Sequence, residues 1–217
     1  MSDTTPKHDE AEPVRSGLAR RTPTQRRSRE RFERILASAM EILSEKGSDA
    51  FRMSDIVERT GISFGSLYQY FPDKTAIIGT LSERYNAEGR ACVEQELASV
   101  ETLPELHAAL GRIVEGYYRM FVDEPILCDI WHATQTDKDL QKADEAEMRH
   151  LAQLLLARMK ELAPSADEAE LRRTAELVMV LIAAAVRHAI TLERSEGERV
   201  VAQFKALLSR SLPGLPG

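Results

Sequence analysis

The stretch Ser54-Asp-Ile-Val-Glu-Arg-Thr-Gly-Ile-Ser-Phe-Gly-Ser-Leu-Tyr-Gln-Tyr-Phe-Pro-Asp-Lys74 holds the residues best suited to chemistry. Two short helices joined by a glycine turn would present Phe64, Gly65, Ser66, Tyr68, Gln69 and Tyr70 outward, with no charge among them. A helix that merely faces water usually carries Lys and Glu. Hydroxyl, amide and ring groups instead suit a major groove, where they meet base edges and thymine methyls. A second chemistry is suggested by two acid-x-x-His pairs, Asp129…His132 and Glu147…His150. That spacing puts a carboxylate and an imidazole on one helical face, as in di-iron bundles. It defines the alternative of a carboxylate/His metal-binding helical-bundle enzyme. Against it, residues 144–150 read as a solvated charged face, and the further inward carboxylates needed on two other helices are not evident. No Ser/His/Asp arrangement, phosphate loop or Gly-rich fingerprint stands elsewhere, so the expectation is no enzyme, no cofactor and no metal.

Helices this short need support from longer ones. Phe32, Ile35, Leu36, Ala39, Met40 and Leu43 recur at helical spacing and predict a first helix from Thr24 to Lys46, with Gly47 as its left-handed stop. A second helix is expected over Met53–Thr60 and a third, capped by Ser63, over Phe64–Tyr70. Pro72 ends the third, and Asp73 caps a long fourth helix over residues 74–97. Ile56, Val57, Ile62, Leu67 and Phe71 are the apolar points of the small core between them. Beyond residue 100 the pattern stays helical. Thr102 and Glu105 form a capping box, and helices follow from Asp123 and Asp137. Ser165 and Glu168 read as a second box opening a helix of about 28 residues. Gly197 separates that helix from a last one with Val200, Val201, Phe204, Leu207 and Leu208. No segment alternates as a strand does, so the class is all-α: a three-helix N-terminal helix-turn-helix unit followed by a larger helical bundle.

Charge is distributed unevenly over the 217 residues, whose net charge is −6. Residues 13–74 hold twelve Lys/Arg against eight Asp/Glu, while residues 75–217 hold sixteen against twenty-three. The basic part is therefore the N-terminal third, and it suits an anionic partner. Residues 1–23 read as a disordered basic arm; its Arg15, Arg20 and Arg21 suit phosphates or a minor groove. No run is apolar and long enough to span a membrane, no signal segment precedes the helices, and Cys92 and Cys128 form no cluster. A cytoplasmic protein is expected.

The segment from Gly61 to Lys74 resembles the signature of the TetR family of regulators, Gly-Val-Ser-x-Gly-Thr/Ser-Leu-Tyr-x-Tyr/His-Phe-x-x-Lys. The likeness covers about 50 residues, from the first helix into the fourth. It implies that Ser63, Phe64, Gly65 and Ser66 approach bases, and that Tyr68, Tyr70 and Lys74 hold phosphates. Gln69 shares their face, and Arg52, where the family often has Thr, remains within reach of a phosphate. Val57 replaces a common Ala, and Phe64 a frequently polar residue. The resemblance further implies a C-terminal effector-binding and dimerisation domain, residues 75–217, acting as a homodimer through its last two helices. Duplex DNA and a small-molecule effector are the implied partners, and repression of a palindromic operator the implied function. Polar and aromatic groups set in apolar faces point to the pocket: Tyr117, Phe121, Trp131, His132, Gln135 and His188. Ala183, Ala184, Ala185 and Ala189, with Leu181, Ile182, Val186, Phe204, Leu207 and Leu208, are candidates for the subunit interface.

Overall fold

A computed structural model of the chain describes residues 26–208 and 212–215. The expected arm, with Arg15, Arg20 and Arg21, lies outside the described residues, as does the expected start of the first helix at Thr24. Among the described residues are nine α-helices and no strand: α1 (Arg26–Ala50), α2 (Met53–Thr60), α3 (Phe64–Tyr70), α4 (Lys74–Ala98), α5 (Leu103–Asp123), α6 (Ile126–Thr136), α7 (Lys138–Leu162), α8 (Glu168–Ala189) and α9 (Arg194–Leu208). Several ends follow from named caps. Asp73 accepts from the Ala76 amide at 2.8 Å, and Asp137 accepts from the amides of Asp139 and Leu140. Thr102 and Glu105 complete their reciprocal box. Gly47 breaks the helical path of α1 at φ 73°, ψ 172°, a conformation that costs a side chain dearly and glycine little.

The start and end of α8 differ from expectation. Asp167, not Ser165, caps it by accepting from the Ala169 amide at 3.1 Å. Glu168 cannot fold back as a box partner, because its carboxylate is held by Lys160 at 2.7 Å and Arg172 at 2.8 Å. The helix also stops early, at Ala189, and is 22 residues long. Gly197 does not separate two helices but lies buried in the first turn of α9. There a Cβ would stand 2.5 Å from the Ala189 carbonyl oxygen and 2.8 Å from the Tyr118 hydroxyl. Only glycine lets α9 come this close to the end of α8.

Two apolar cores result. The N-terminal one gathers Ile35, Leu36, Leu43, Ile56, Leu67 and Phe71 with Ile77 and Leu81 of α4. Ile126, Ile130 and Ala133 of α6 and Leu140 of α7 complete it. The second is built from α5, α7, α8 and α9 around residues such as Leu106, Leu110, Leu155, Met159 and Ile182. The first half of α4 serves one core and Val93 and Leu97 serve the other. Tyr85, between them, packs against both. No helix among the described residues is long and apolar enough to cross a membrane.

Candidate nucleic-acid interface and internal cavity

The geometry of α3 is set before and after it by its turns. Gly61 takes φ 69°, ψ 12° and donates its amide to the Val57 carbonyl at 2.9 Å, ending α2 in the left-handed cap that favours glycine. Ser63 caps α3 by accepting from the Ser66 amide at 3.2 Å. Leu67, fully buried, and Phe71 pin the helix to the core; Phe71 stacks on Phe32 at 5.1 Å. Salt bridges from Lys46 to Asp55 (3.0 Å) and from Arg59 to Glu45 (2.5 Å) tie α2 to α1. The Lys46 ammonium holds the Asp55 carboxyl below its ordinary range.

With the inner face so held, Ser63, Phe64, Gly65, Tyr68 and Gln69 are exposed together on one side. Phe64 and Tyr68 stack on each other with centroids 6.1 Å apart, both more than two-fifths exposed. Ser66 is half-buried, and its hydroxyl accepts from Arg31 of α1 at 3.2 Å. Arg52 is exposed at the head of α2, where its amide donates to Asp55. Lys74 is exposed at the head of α4 and donates to the Ser48 carbonyl at 3.4 Å. Tyr70 corrects the expectation of a shared outward face: it is buried, meets Phe32 edge-on, and its hydroxyl lies 2.8 Å from that of Ser28. Two residues beyond Tyr68 on a helix is about 200° of rotation, which turns Tyr70 inward. Ser28 and Arg31 are partners that the sequence reading did not assign. Arg31 is one of several arginines between residues 26 and 34, and nothing in the spacing singled it out.

The bundle holds a partly open cavity of about 70 Å³ walled by α4, α5, α7 and α8, including Tyr85, Asn86, Tyr117, Asp144 and Glu147. A smaller chamber of about 50 Å³ shares Tyr85, Asn86, Tyr117 and Asp144 with it and adds Phe121 and Trp131. Three of the six expected lining residues, Tyr117, Phe121 and Trp131, therefore converge. Burial pushes the Tyr117 hydroxyl up to about 12, so it stays neutral. The other three do not line either space. His132 is exposed and its ring lies against Trp131. Gln135 is exposed and its side chain hydrogen-bonds Asp144. His188 is exposed on the stripe 177, 181, 184, 188, opposite the buried face of α8.

Asp144 and Glu147 overturn the reading of residues 144–150 as a solvated face. Glu147 is 8% exposed and pairs with Arg90 of α4. Burial raises both carboxyls above their usual range; Arg90 opposes this at Glu147, and Arg187 and Gln135 oppose it at Asp144. The overlooked signal was phase: Leu140, Asp144, Glu147, Leu151 and Leu155 fall on one helical stripe. With Glu147 committed to Arg90 and His150 exposed, the acid-x-x-His pair is split between two environments. Among the described residues, no group of three or more His, Cys, Asp or Glu comes together to hold a metal ion. Burial pushes both the Cys92 and Cys128 thiols up, away from the reactive thiolate.

On the N-terminal side, residues 35–81 match the family described as bacterial regulatory proteins, tetR family. Residues 104–214, just over half of the chain, match the tetracyclin repressor-like C-terminal domain. The HTH-type transcriptional regulator YvdT of Bacillus subtilis is 43% identical over 53 residues, covering 24% of this chain and 27% of that protein. The HTH-type transcriptional repressor KstR of Mycobacterium tuberculosis is 25% identical over 120 residues, 55% of this chain and 53% of that one. The chain thus spans about a quarter and about half the length of these two relatives. In fold, it is similar to a TetR-family regulator from Pectobacterium atrosepticum, with a TM-score of 0.66 at 22% identity, covering 90% of this chain and all of that one. FadR of Bacillus subtilis, solved in complex with stearoyl-CoA, superposes with a TM-score of 0.65 at 15% identity over 82% and 98% of the two chains.

Proposed function

The chain belongs to the TetR family of transcriptional regulators, and on that premise we propose that it is a homodimeric repressor whose two α3 helices read a palindromic operator in duplex DNA. The observation that carries this is the uncharged outward face of α3, held at Leu67 and Phe71 and flanked by cations. Ser63, Gly65 and Gln69 offer hydrogen bonds to base edges, and the Phe64–Tyr68 stack offers an apolar surface to thymine methyls. Tyr68 and Lys74, with Arg52 and the arginines of the arm, supply phosphate contacts that set register without reading sequence. Arg31 holds the Ser66 hydroxyl in place.

Dimerisation through α8 and α9 is supported by what those helices leave outside. Leu177, Val180 and Leu181 of α8 and Leu207 of α9 are large apolar side chains between 42% and 59% exposed. Such a patch marks an interaction surface. Ala184 shares the stripe and permits close approach, whereas Ile182, Ala183, Val186, Ala189 and Leu208 are spent on the subunit's own core.

Release of DNA follows from Tyr85. It touches both cores and lines the cavity, so a molecule seated there presses on the α4 segment that leads to the helix-turn-helix. An effector works only by favouring the arrangement with the wrong α3 spacing, and a few kcal/mol of preference is sufficient. The cytoplasm, where its DNA lies, is the place of action.

Selection from random duplexes followed by gel shift tests this reading. The expected product is an inverted repeat with half-sites about 10 base pairs apart, bound by a dimer in sedimentation. Enrichment of no sequence, or binding as a monomer, overturns it.

A further inference from the structure

We propose that the cavity between α4, α5, α7 and α8 takes lipophilic cations, an apolar body bearing a protonated amine, with Glu147 and Asp144 receiving the head. The inference rests on the bundle being the effector-binding unit and adds the chemistry of the effector. Glu147 lines the cavity and is more than nine-tenths buried. Arg90 occupies its Oε2, while Oε1 is buried with no hydrogen-bond partner. A buried carboxylate oxygen without a donor is costly, so a ligand that brings N–H groups relieves a penalty the folded chain carries alone.

The local charge points the same way. Arg90 is shared, because its other terminal nitrogen donates to Glu83 at 2.6 Å. Asp144, one turn before Glu147 on the same face, adds a third carboxylate. Its nearby counter-charge is Arg187, whose guanidinium lies 4.9 Å from the centre of the Trp131 ring. Only Asp144 and Glu147 bring charge to the cavity wall, while Arg90 is divided between Glu147 and Glu83 and Arg187 stands near Asp144, so the lining itself is acidic. A fatty acid or phosphate head would bring its own charge against Asp144 and Glu147. The remaining wall carries no further charge: Met120, Met148, Leu151 and Met179 are apolar and adaptable, and Tyr85, Asn86 and Tyr117 add neutral polar groups. At about 70 Å³ the cavity has room for only a few water molecules, so a ligand of this kind enters by parting the α4 and α7 walls. That parting is what brings Oε1 within reach.

Dodecylamine, dodecanol and dodecanoic acid carry one tail and three heads. Their binding to the full chain is read from the fluorescence of Trp131, the only tryptophan. We expect the amine to bind about tenfold tighter than the alcohol, and the acid weakest. Glu147→Gln should cost the amine about tenfold and leave the alcohol unchanged, with a smaller loss for Asp144→Asn. Melting curves check that both variants fold, and Asp144→Asn carries the test should Glu147→Gln fail. Equal binding of the three, the acid tightest, or no binding of the amine overturns the proposal. The amine bound in the expected order without release of the selected DNA leaves the ligand class standing and sinks the effector reading. Release by the acid alone does the reverse.

Discussion

Tyr68 and Glu147 are both polar residues on helices whose neighbours alternate between charged, polar and apolar, yet they end in opposite places. Tyr68 stands out from α3, two-fifths exposed, because Leu67 and Phe71 take the inward positions. Glu147 is buried on α7 against Arg90, because its stripe also holds Leu140, Leu151 and Leu155. In the helix-turn-helix, the apolar residues decide which way the polar ones face, and the polar face meets a partner outside. In the bundle, two carboxylates ride inward on an apolar stripe, and desolvation raises both. One region holds its polar groups ready for a large charged surface, and the other holds them under strain for something small.

Removing an anchor of the outward-facing region should have the largest effect. Phe71→Ala, which deletes a fully buried ring stacked on Phe32, should destabilise the chain by about 3–5 kcal/mol in a denaturant melt. A loss below 1 kcal/mol would mean that α3 is not held as described. In the bundle, Gly197→Ala should cost about 1–3 kcal/mol, since its Cβ meets backbone at Ala189 that cannot swing away. An unchanged melting temperature would show that α9 lies further off.

Two tyrosines on one short helix sharpen the contrast at smaller scale. Tyr68→Phe should weaken DNA binding about tenfold on every sequence, as loss of about one phosphate hydrogen bond would. Tyr70→Phe should instead cost about 1 kcal/mol of stability, through the lost Ser28 contact, and leave affinity nearly unchanged. Titrations with the selected duplex decide, and equal losses of affinity would erase the distinction between outward and inward faces. The smallest effect is a gain. Asp144 has its carboxyl raised by burial, so the folded chain binds that proton more tightly than the unfolded chain does. Its contribution to stability is then full below the ordinary value of 3.8 and is lost as pH rises through the raised one. Asp144→Asn should accordingly melt slightly higher than the parent at pH 7, with the gain vanishing below pH 3.8. A variant less stable at pH 7 would place the carboxylate in a favourable pair instead.

The helix-turn-helix was legible because its signals are local. Gly61, Ser63, Pro72 and Asp73 act within four residues of themselves, and observed α2 and α3 coincide with the expected ranges. Tyr70 was misread because every residue of α3 except Leu67 was assigned to one outward face, whereas its phase on the helix turns it inward. The bundle was harder. Tyr117, Phe121 and Trp131, large aromatic side chains inside apolar runs, are placed beside the two chambers. Asp144 and Glu147 went unread, because a carboxylate among charges looks solvated until its counter-ion, 57 residues away for Arg90, is known. His188 misled for the inverse reason: an imidazole in an apolar helix looked like a pocket group, and the helix had a second apolar side.

The N-terminal core borrows Ile126, Ile130 and Ala133 from α6, far along the chain. A fragment cut after α4 would therefore expose the apolar side of α1 that those residues cover. Engineers who transplant this headpiece onto a foreign sensor should carry α6 along with it, or redesign its footprint. A chimera joined at residue 74 would be expected to aggregate before it ever met an operator.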